Sequence, residues 1–504
     1  MRCGIPIRPP GEGKLPGKQT TMTQETKAEL PEIIQGGMGV YVSSPFLANA
    51  VSRQGALGTV SGVAPERILA RILASGDVGG HYRRALRHFP FPRVAKQVLD
   101  AYYIEEGNPQ QLTPRGVPLL TIDPPEMLIA LSICANFAFV HLAKEGHDRP
   151  VSINYLEKIA LPHLYSITGA MLAGVDVITM GAGIPLQIPE VIKELAEGRT
   201  ASYRIPVAGS GITHHTLNFN PGEFFGAKLP ALKKPRFIPI IASNLLAALF
   251  LKKSPKDSVY GFVVEEPTAG GHNAPPRKGT AYGPKDEVNY AEMAKLGRPF
   301  WIGGSKASPE KLRWAKSVGA AGIQAGTIFA LCEESGMNPN IRRMIRARGY
   351  MGDLTVRSDL NASPTGFPFK VADLPGSLSD DRVYLARSRV CNQGVLRTLF
   401  EKPDGTIGYR CPGEPVDAHV KKLGKIEETN GVRCICNGLM ATVDLEDGDE
   451  PPIVTLGDDV GFLRSVMADA GASYGIADAL EYLRGELMEP AFAGTAESAQ
   501  GSDS

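Results

Sequence analysis

The segment 263–277, VVEEPTAGGHNAPPR, concentrates more chemistry than any other part of the chain. Gly270 and Gly271 let a backbone approach a flat ligand, and His272 follows directly on a loop that leaves an expected strand. An imidazole placed there can exchange a proton near neutral pH or donate a hydrogen bond to developing negative charge. A glycine-rich turn carrying a surface histidine is the competing structural reading. A second set comprises Gly303-Gly304-Ser305 and Gln324-Ala325-Gly326-Thr327. Backbone N–H groups in glycine turns and at helix starts are unsatisfied donors that bind phosphate, although ordinary strand-to-helix turns use glycine pairs as well. In the third, Gln35-Gly36-Gly37-Met38-Gly39, the glycines suit a backbone lying against a planar ring, and Met38 either packs on that ring or fills core. Asn154 carries an amide that can donate and accept, which suits reading a pyrimidine edge or closing a turn.

The elements that must hold these residues read as alternating strands and helices. Short β-branched runs at 33–36, 58–61, 151–155, 175–180, 237–242, 259–264, 299–302 and 321–324 predict eight strands, nearly all followed by helical patterns. That count predicts an α/β fold of the (β/α)8 TIM-barrel type, whose site lies at the carboxyl ends of the strands, with loops seven and eight the usual phosphate holders. Ser44-Pro45 and Ser308-Pro309 each supply a side-chain cap and a first-turn proline. The barrel is expected over 31–335, with long insertions near 80–150 and 198–235, because neither gap suits an ordinary loop. The stretch 202–220 alternates like a short hairpin, and 127–143 reads as a buried apolar helix that falls short of a clean membrane span. Beyond the barrel, 336–490 reads as an appended α+β region ending in a helix with Ile476, Leu480, Leu483 and Leu487 on one face. The polar, Pro- and Gly-rich leader 1–30 and the tail 491–504 are expected to be disordered.

Composition narrows the function class. The 504 residues carry 54 Lys plus Arg against 53 Asp plus Glu, so no positive excess exists for nucleic-acid binding by bulk charge, and 43% hydrophobic residues exclude disorder throughout. Seven Cys in this length make no disulfide scaffold, and the amino terminus has no apolar segment of the kind a secretion signal needs, so a cytoplasmic location is expected. No membrane partner is expected, and a homo-oligomer is allowed. Cys391, Cys411, Cys434 and Cys436 could supply a tetrahedral zinc site, but Cys-X-Cys is a poor match to a structural zinc knuckle, and buried thiols are the preferred reading. Arg83, Arg84, Arg87 and Arg93 could meet an anionic substrate arm; a solvated helix face is preferred.

The ordered motifs IIQGGMG (33–39), LANAVSRQGALGTVSG (47–62), GAMLAGVDVITMGAGIP (169–185), EEPTAGGHNAPPR (265–277) and GIQAGTIFALCEESG (322–336) resemble the nitronate monooxygenase, or 2-nitropropane dioxygenase-like, family. The resemblance spans essentially the whole expected barrel. It implies an FMN-binding barrel that oxidises alkyl nitronates with molecular oxygen to a carbonyl compound and nitrite. By the same resemblance His272 is the active-site histidine, and Gly303, Gly304, Gln324, Gly326 and Thr327 hold the FMN phosphate. Gly37, Met38 and Asn154 would line the isoalloxazine, with Gly181 and Gly271 approaching it by backbone. The chain departs from the family in its GGM turn, its longer loops after strands two and four, and its carboxyl-terminal addition. An FMN-dependent enoyl-thioester reductase using NAD(P)H also resembles this AGGH barrel, and a barrel docked on a partner enzyme is a third reading.

Overall fold

The computed structural model describes residues 29–105, 116–209, 211–446 and 448–487. The expected tail 491–504 and nearly all of the expected leader 1–30 lie outside these residues. The strands are, in chain order, β1 (Ile33–Gln35), β2 (Gly58–Ser61), β3 (Val151–Leu156), β4 (Val177–Gly181), β5 (Ala201–Ala208), β6 (His214–Phe219), β7 (Arg236–Ile241), β8 (Phe262–Glu265), β9 (Phe300–Gly303) and β10 (Gly322–Ala325). Four more follow: β11 (Val356–Asp359), β12 (Phe369–Ala372), β13 (Thr398–Glu401) and β14 (Ile407–Arg410).

Eight strands pair in the order β1-β10-β9-β8-β7-β4-β3-β2, all in parallel. The two ends of that sheet meet, because Gln35 N donates to Leu57 O at 3.0 Å and Leu57 N donates to Ile33 O at 2.9 Å. The sheet is therefore a closed (β/α)8 barrel, and its eight strands are those expected from the β-branched runs. β4 and β8 start more than one residue later than the sequence pattern suggests. Val175 N closes the preceding turn on Ala170 O, and Val259 makes only an isolated bridge to Phe237. Helix starts follow local chemistry: Ser44 Oγ accepts from Leu47 N at 3.1 Å, and Ser308 Oγ accepts from Lys311 N at 3.2 Å.

The insertions are packed parts of the barrel wall. The apolar helix Glu126–Lys144 is long and apolar enough to cross a membrane, yet 78% of its apolar window is buried in this fold. It packs against the helices Pro45–Arg53, Pro65–Ala74 and His163–Leu172. Its polar residues are satisfied internally: Ser132 Oγ donates to Leu128 O, and Asn136 Oδ1 accepts from the Tyr155 hydroxyl at 2.9 Å. The basic cluster is engaged as well, with Arg83 on Asp77 and Arg84 on both oxygens of Glu145. β5 and β6 form the expected antiparallel hairpin.

That hairpin continues into the carboxyl-terminal region. β5 pairs in parallel with β13, giving a four-stranded sheet ordered β14-β13-β5-β6. The described residues from Pro31 onward accordingly belong to one compact unit. The last helix, Ile476–Arg484, buries Ile476, Ala479, Leu480 and Leu483 and packs on Pro309–Ser317. Leu487 lies outside it, because Gly485 at φ +75° ends the helix.

Candidate active site

The carboxyl ends of the barrel strands surround a cavity of about 1520 Å³, its open mouth included. Every site residue drawn from the motifs lines it: Gly37, Met38, Asn154, Gly181, Gly271, His272, Gly303, Gly304, Gln324, Gly326 and Thr327. Their convergence follows from closure of the barrel, which brings the loops after β1, β3, β4, β8, β9 and β10 to one mouth.

Each loop is shaped by its own chemistry. Below the Gly36–Gly39 turn, Gln35 is fully buried and spends its amide on the scaffold: Nε2 donates to Gly36 O, Ser43 Oγ and Thr59 O, and Oε1 accepts from Thr59 N. Gly37 has no room for a side chain, since a Cβ there would sit 2.3 Å from Asn154 Cβ. Asn154 is itself oriented, with Oδ1 accepting from Thr179 Oγ1 at 2.9 Å and Nδ2 donating to Gly37 O at 3.4 Å. Met38 reaches across to the loop after β10, where its sulfur would lie 3.3 Å from a Cβ on Gly326.

The loops after β9 and β10 line the cavity with Gly303, Gly304, Ser305, Gly326 and Thr327. Gly304 holds φ +102°, and a Cβ there would lie 2.8 Å from Thr268 Oγ1. The hydroxyls of Thr268 and Ser305 are buried without a protein partner. Leaving a buried hydroxyl unsatisfied costs about 1–3 kcal/mol, so the Ser305 oxygen, which lines the cavity, is a group a ligand oxygen would satisfy. Ser305 also holds φ +47°, and Ala64 and Ala182, which line the same cavity, hold φ +51° and +52°. Non-glycine residues in that region cost about 1–2 kcal/mol each, and such strain gathers where a ligand surface is shaped. Lys306 follows in the same loop, buried, with Nζ 2.5 Å from Glu266 Oε2, while the Tyr290 hydroxyl donates to the other oxygen of Glu266.

The donor set fits the phosphate and flat ring system of FMN. Gly303, Gly304, Ser305, Gly326 and Thr327 would hold the phosphate, and Gly37, Asn154, Gly181 and Gly271 would face the ring. The Gln324 amide has no hydrogen-bond partner among the described residues, consistent with a role toward a ligand.

His272 lies at the other side of the cavity. Burial drives its imidazole down to about 4, so the ring is neutral at physiological pH. Nε2 lies 2.7 Å from Ser363 Oγ, which in turn lies 2.8 Å from Thr365 Oγ1, and Phe369 packs edge-on against the ring. Nδ1 has no partner among the described residues. Glu265, at the end of β8, also lines the cavity, and burial pushes its carboxyl up to about 8. Its side chain has no partner among the described residues, so at neutral pH it is largely a protonated acid facing the site.

Several of these groups are invisible to motif reading. Ser363 and the segment 455–459 sit far along the chain in the appended region, yet they complete the site. Gly271 N donates to Thr455 Oγ1 at 2.7 Å, Gly457 N to Thr327 Oγ1 at 2.9 Å, and Asp458 N to Thr268 O at 3.1 Å. Strand β12 adds Lys370 N to Gly271 O at 2.9 Å and the Lys370–Asp458 ion pair at 2.6 Å. A Cβ on Gly270 would strike the Leu456 carbonyl carbon at 2.8 Å, so the AGGH glycines serve this strap as much as any ligand. Val395, Leu396, Ile435, Leu439 and Met440 roof the cavity with aliphatic surface. Glu265 had a signal, its place at a strand end, whereas Ser363 had none.

No group of three or more His, Cys, Asp or Glu among the described residues could hold a metal ion. Cys391, Cys411, Cys434 and Cys436, the zinc candidates, form no such group. The four sulfurs gather in one place but are held by other contacts, including Cys434 Sγ donating to Val390 O at 3.7 Å.

Fold and site together define a (β/α)8 barrel whose cavity at the strands' carboxyl ends is lined by glycine turns and closed by its own carboxyl-terminal region. No protein-family model and no curated protein matches the chain. Among solved structures it is similar to FabK from Thermotoga maritima, at 16% identity and TM-score 0.46, covering 90% of this chain and 92% of that one. It is similar to the enoyl reductase domain of MlnA from the macrolactin biosynthesis cluster of Bacillus amyloliquefaciens, at 13% identity and TM-score 0.46, over 90% and 93% of the two chains. A third is nitroalkane oxidase from Streptomyces ansochromogenes, at 13% identity and TM-score 0.42, over 90% and 95%. The fold assignment rests on the closed sheet of this chain itself.

Proposed function

We propose that the protein is an FMN-dependent oxidoreductase of the nitronate monooxygenase type, converting an alkyl nitronate and oxygen to a carbonyl compound and nitrite. The observation that carries this reading is the convergence of the motif residues on one cavity in which Ser305 keeps an unsatisfied hydroxyl beside the Gly303-Gly304 turn. Bound FMN would supply the redox chemistry, and the protein supplies binding, orientation and electrostatics.

In that division of labour the loops after β9 and β10 anchor the phosphate, with Lys306 as the nearby cation. Neutral His272, fixed through Nε2 by Ser363, presents Nδ1 to the substrate for hydrogen bonding to the nitro oxygens. With its imidazole near 4 it is a weak base. Where a neutral nitroalkane is the substrate, Glu265 is the better proton acceptor once ionised, because it faces the cavity without a partner. The aliphatic roof excludes water from the reacting face.

The same roof favours a second reading, an NAD(P)H-using enoyl-thioester reductase whose acyl chain lies under Val395, Leu396, Ile435, Leu439 and Met440. An absorbance spectrum of the purified protein followed by anaerobic titration separates the two. Bleaching of a flavin spectrum by an alkyl nitronate but not NADPH supports the first reading, and the reverse supports the second. A colourless protein that binds no added FMN refutes both.

A further inference from the structure

Next to the main cavity, sharing Val395, Leu396, Ile435 and Cys436 with its lining, a small pocket is lined by all four carboxyl-terminal thiols, Cys391, Cys411, Cys434 and Cys436. They are not equivalent. Cys391 is half-buried and Cys411 buried, and the two side chains are hydrogen-bonded to each other. Cys434 donates instead to Val390 O. We propose that Cys391 and Cys411 are a redox-active dithiol that a small-molecule disulfide oxidises to an intramolecular disulfide.

The environment assigns the order of events. The hydrogen bond from Cys411, with the Arg397 guanidinium nearby, holds the Cys391 thiol down to about 7, whereas the same hydrogen bond and burial raise Cys411, and burial raises Cys434 and pushes Cys436 up to about 11. Glu414 acts against this on Cys391 but is outweighed. Among these four thiols, then, Cys391 is the one that is both reachable from solvent and substantially ionised at neutral pH. Its thiolate attacks one sulfur of the oxidant, breaking that S–S bond, forming a mixed disulfide and releasing one thiolate. Cys411 then gives up its proton and attacks Cys391 Sγ, expelling the second thiolate. The protein loses two electrons and two protons, and the oxidant disulfide leaves as two thiols.

The link would close the segment 391–411, which carries Val395 and Leu396 into the roof of the main cavity. Within it Arg397 already ties the roof to the barrel wall, donating to Gly394 O at 3.2 Å and Leu120 O at 2.5 Å. The inference does not depend on what the main cavity binds.

Peptide mapping of the full-length protein, after glutathione disulfide and alkylation of remaining thiols, tests it. Arg397 and Arg410 lie between the two cysteines, so trypsin separates them unless they are linked. The expected result is a Cys391–Cys411 linked pair lighter by two hydrogens and restored by a reductant. Cys411→Ser should trap the glutathione adduct on Cys391, Cys391→Ser should abolish the link, and Cys434→Ser should link as the wild type does. Free alkylation of both cysteines after oxidation, or a link from Cys391 to Cys434 or Cys436, would overturn the proposal.

Discussion

Replacing Glu265 by Gln isolates the cost of facing a carboxyl into the cavity. In the unfolded chain the group titrates near 4.5, and in the folded chain burial raises it to about 8. Below pH 4.5 the acid is neutral in both states, so it behaves like the isosteric amide. Between pH 4.5 and 8 the unfolded chain releases this proton and the folded chain keeps it, so wild-type stability falls as pH rises. Above pH 8 the loss is complete. A shift of this size corresponds to a ceiling of about 5 kcal/mol at 1.36 kcal/mol per pH unit. With an unfolding entropy of about 2.1 cal/mol/K per residue, a chain this long moves its Tm by about 1 °C per kcal/mol. For the cofactor-free protein, Tm of Glu265→Gln minus Tm of wild type should therefore rise by up to about 5 °C between pH 4.5 and 9. Differential scanning calorimetry at matched scan rates reads it. Two melting profiles that shift in parallel across this range would refute the burial argument, because the difference cancels every other titrating group.

The other predictions address the remaining groups of the site. His272 is neutral when folded, with its pKa depressed from 6.5 to about 4, so the stability it contributes is full above pH 6.5 and lost as pH falls toward 4; relative to His272→Gln, the wild type should lose up to about 3 kcal/mol over that window in calorimetry, and no relative loss would mean the ring is protonated in place. Ser363→Ala leaves a buried ring nitrogen without its partner and should destabilise by about 1–3 kcal/mol in urea unfolding, with Ser363→Thr recovering most of it; equal effects of the two variants would sink the hydrogen-bond account. Gly304→Ala drives a Cβ to 2.8 Å from Thr268 Oγ1 at φ +102° and should weaken FMN binding about tenfold or more, equivalent to about 1.4 kcal/mol. Gly366→Ala, also at positive φ but with nothing within 4 Å, serves as the control and should keep FMN affinity in fluorescence titration.

The sequence by itself determined the barrel and the inner half of the site. Eight β-branched runs separated by helical patterns leave few alternatives, because parallel strands need crossover helices and eight such units close on themselves. Once closure is granted, the glycine turns after β1, β8, β9 and β10 must meet, since each lies at a strand's carboxyl end. Thus Gly37, His272, Gly303, Gly304 and Thr327 were legible as residues that share one mouth. Gln35 and Ser43, which shape the first turn, were partly hidden because a buried amide or hydroxyl reads locally as an ordinary strand or cap residue.

Tertiary structure alone decided the outer half. Ser363, Thr455, Gly457 and Asp458 lie within a region with no repeat, no motif and no regular alternation. Their contacts to His272, Gly271, Thr327 and Thr268 span about 90 to 190 residues of chain. The pairing of β13 with β5, which welds the appended region to an insertion, depends on two short strands that local pattern cannot match to each other. The protonation states followed the same rule. His272 and Glu265 have ordinary side chains in sequence, and it is burial, which exists only once both halves of the cavity are assembled, that makes one neutral and keeps the proton on the other.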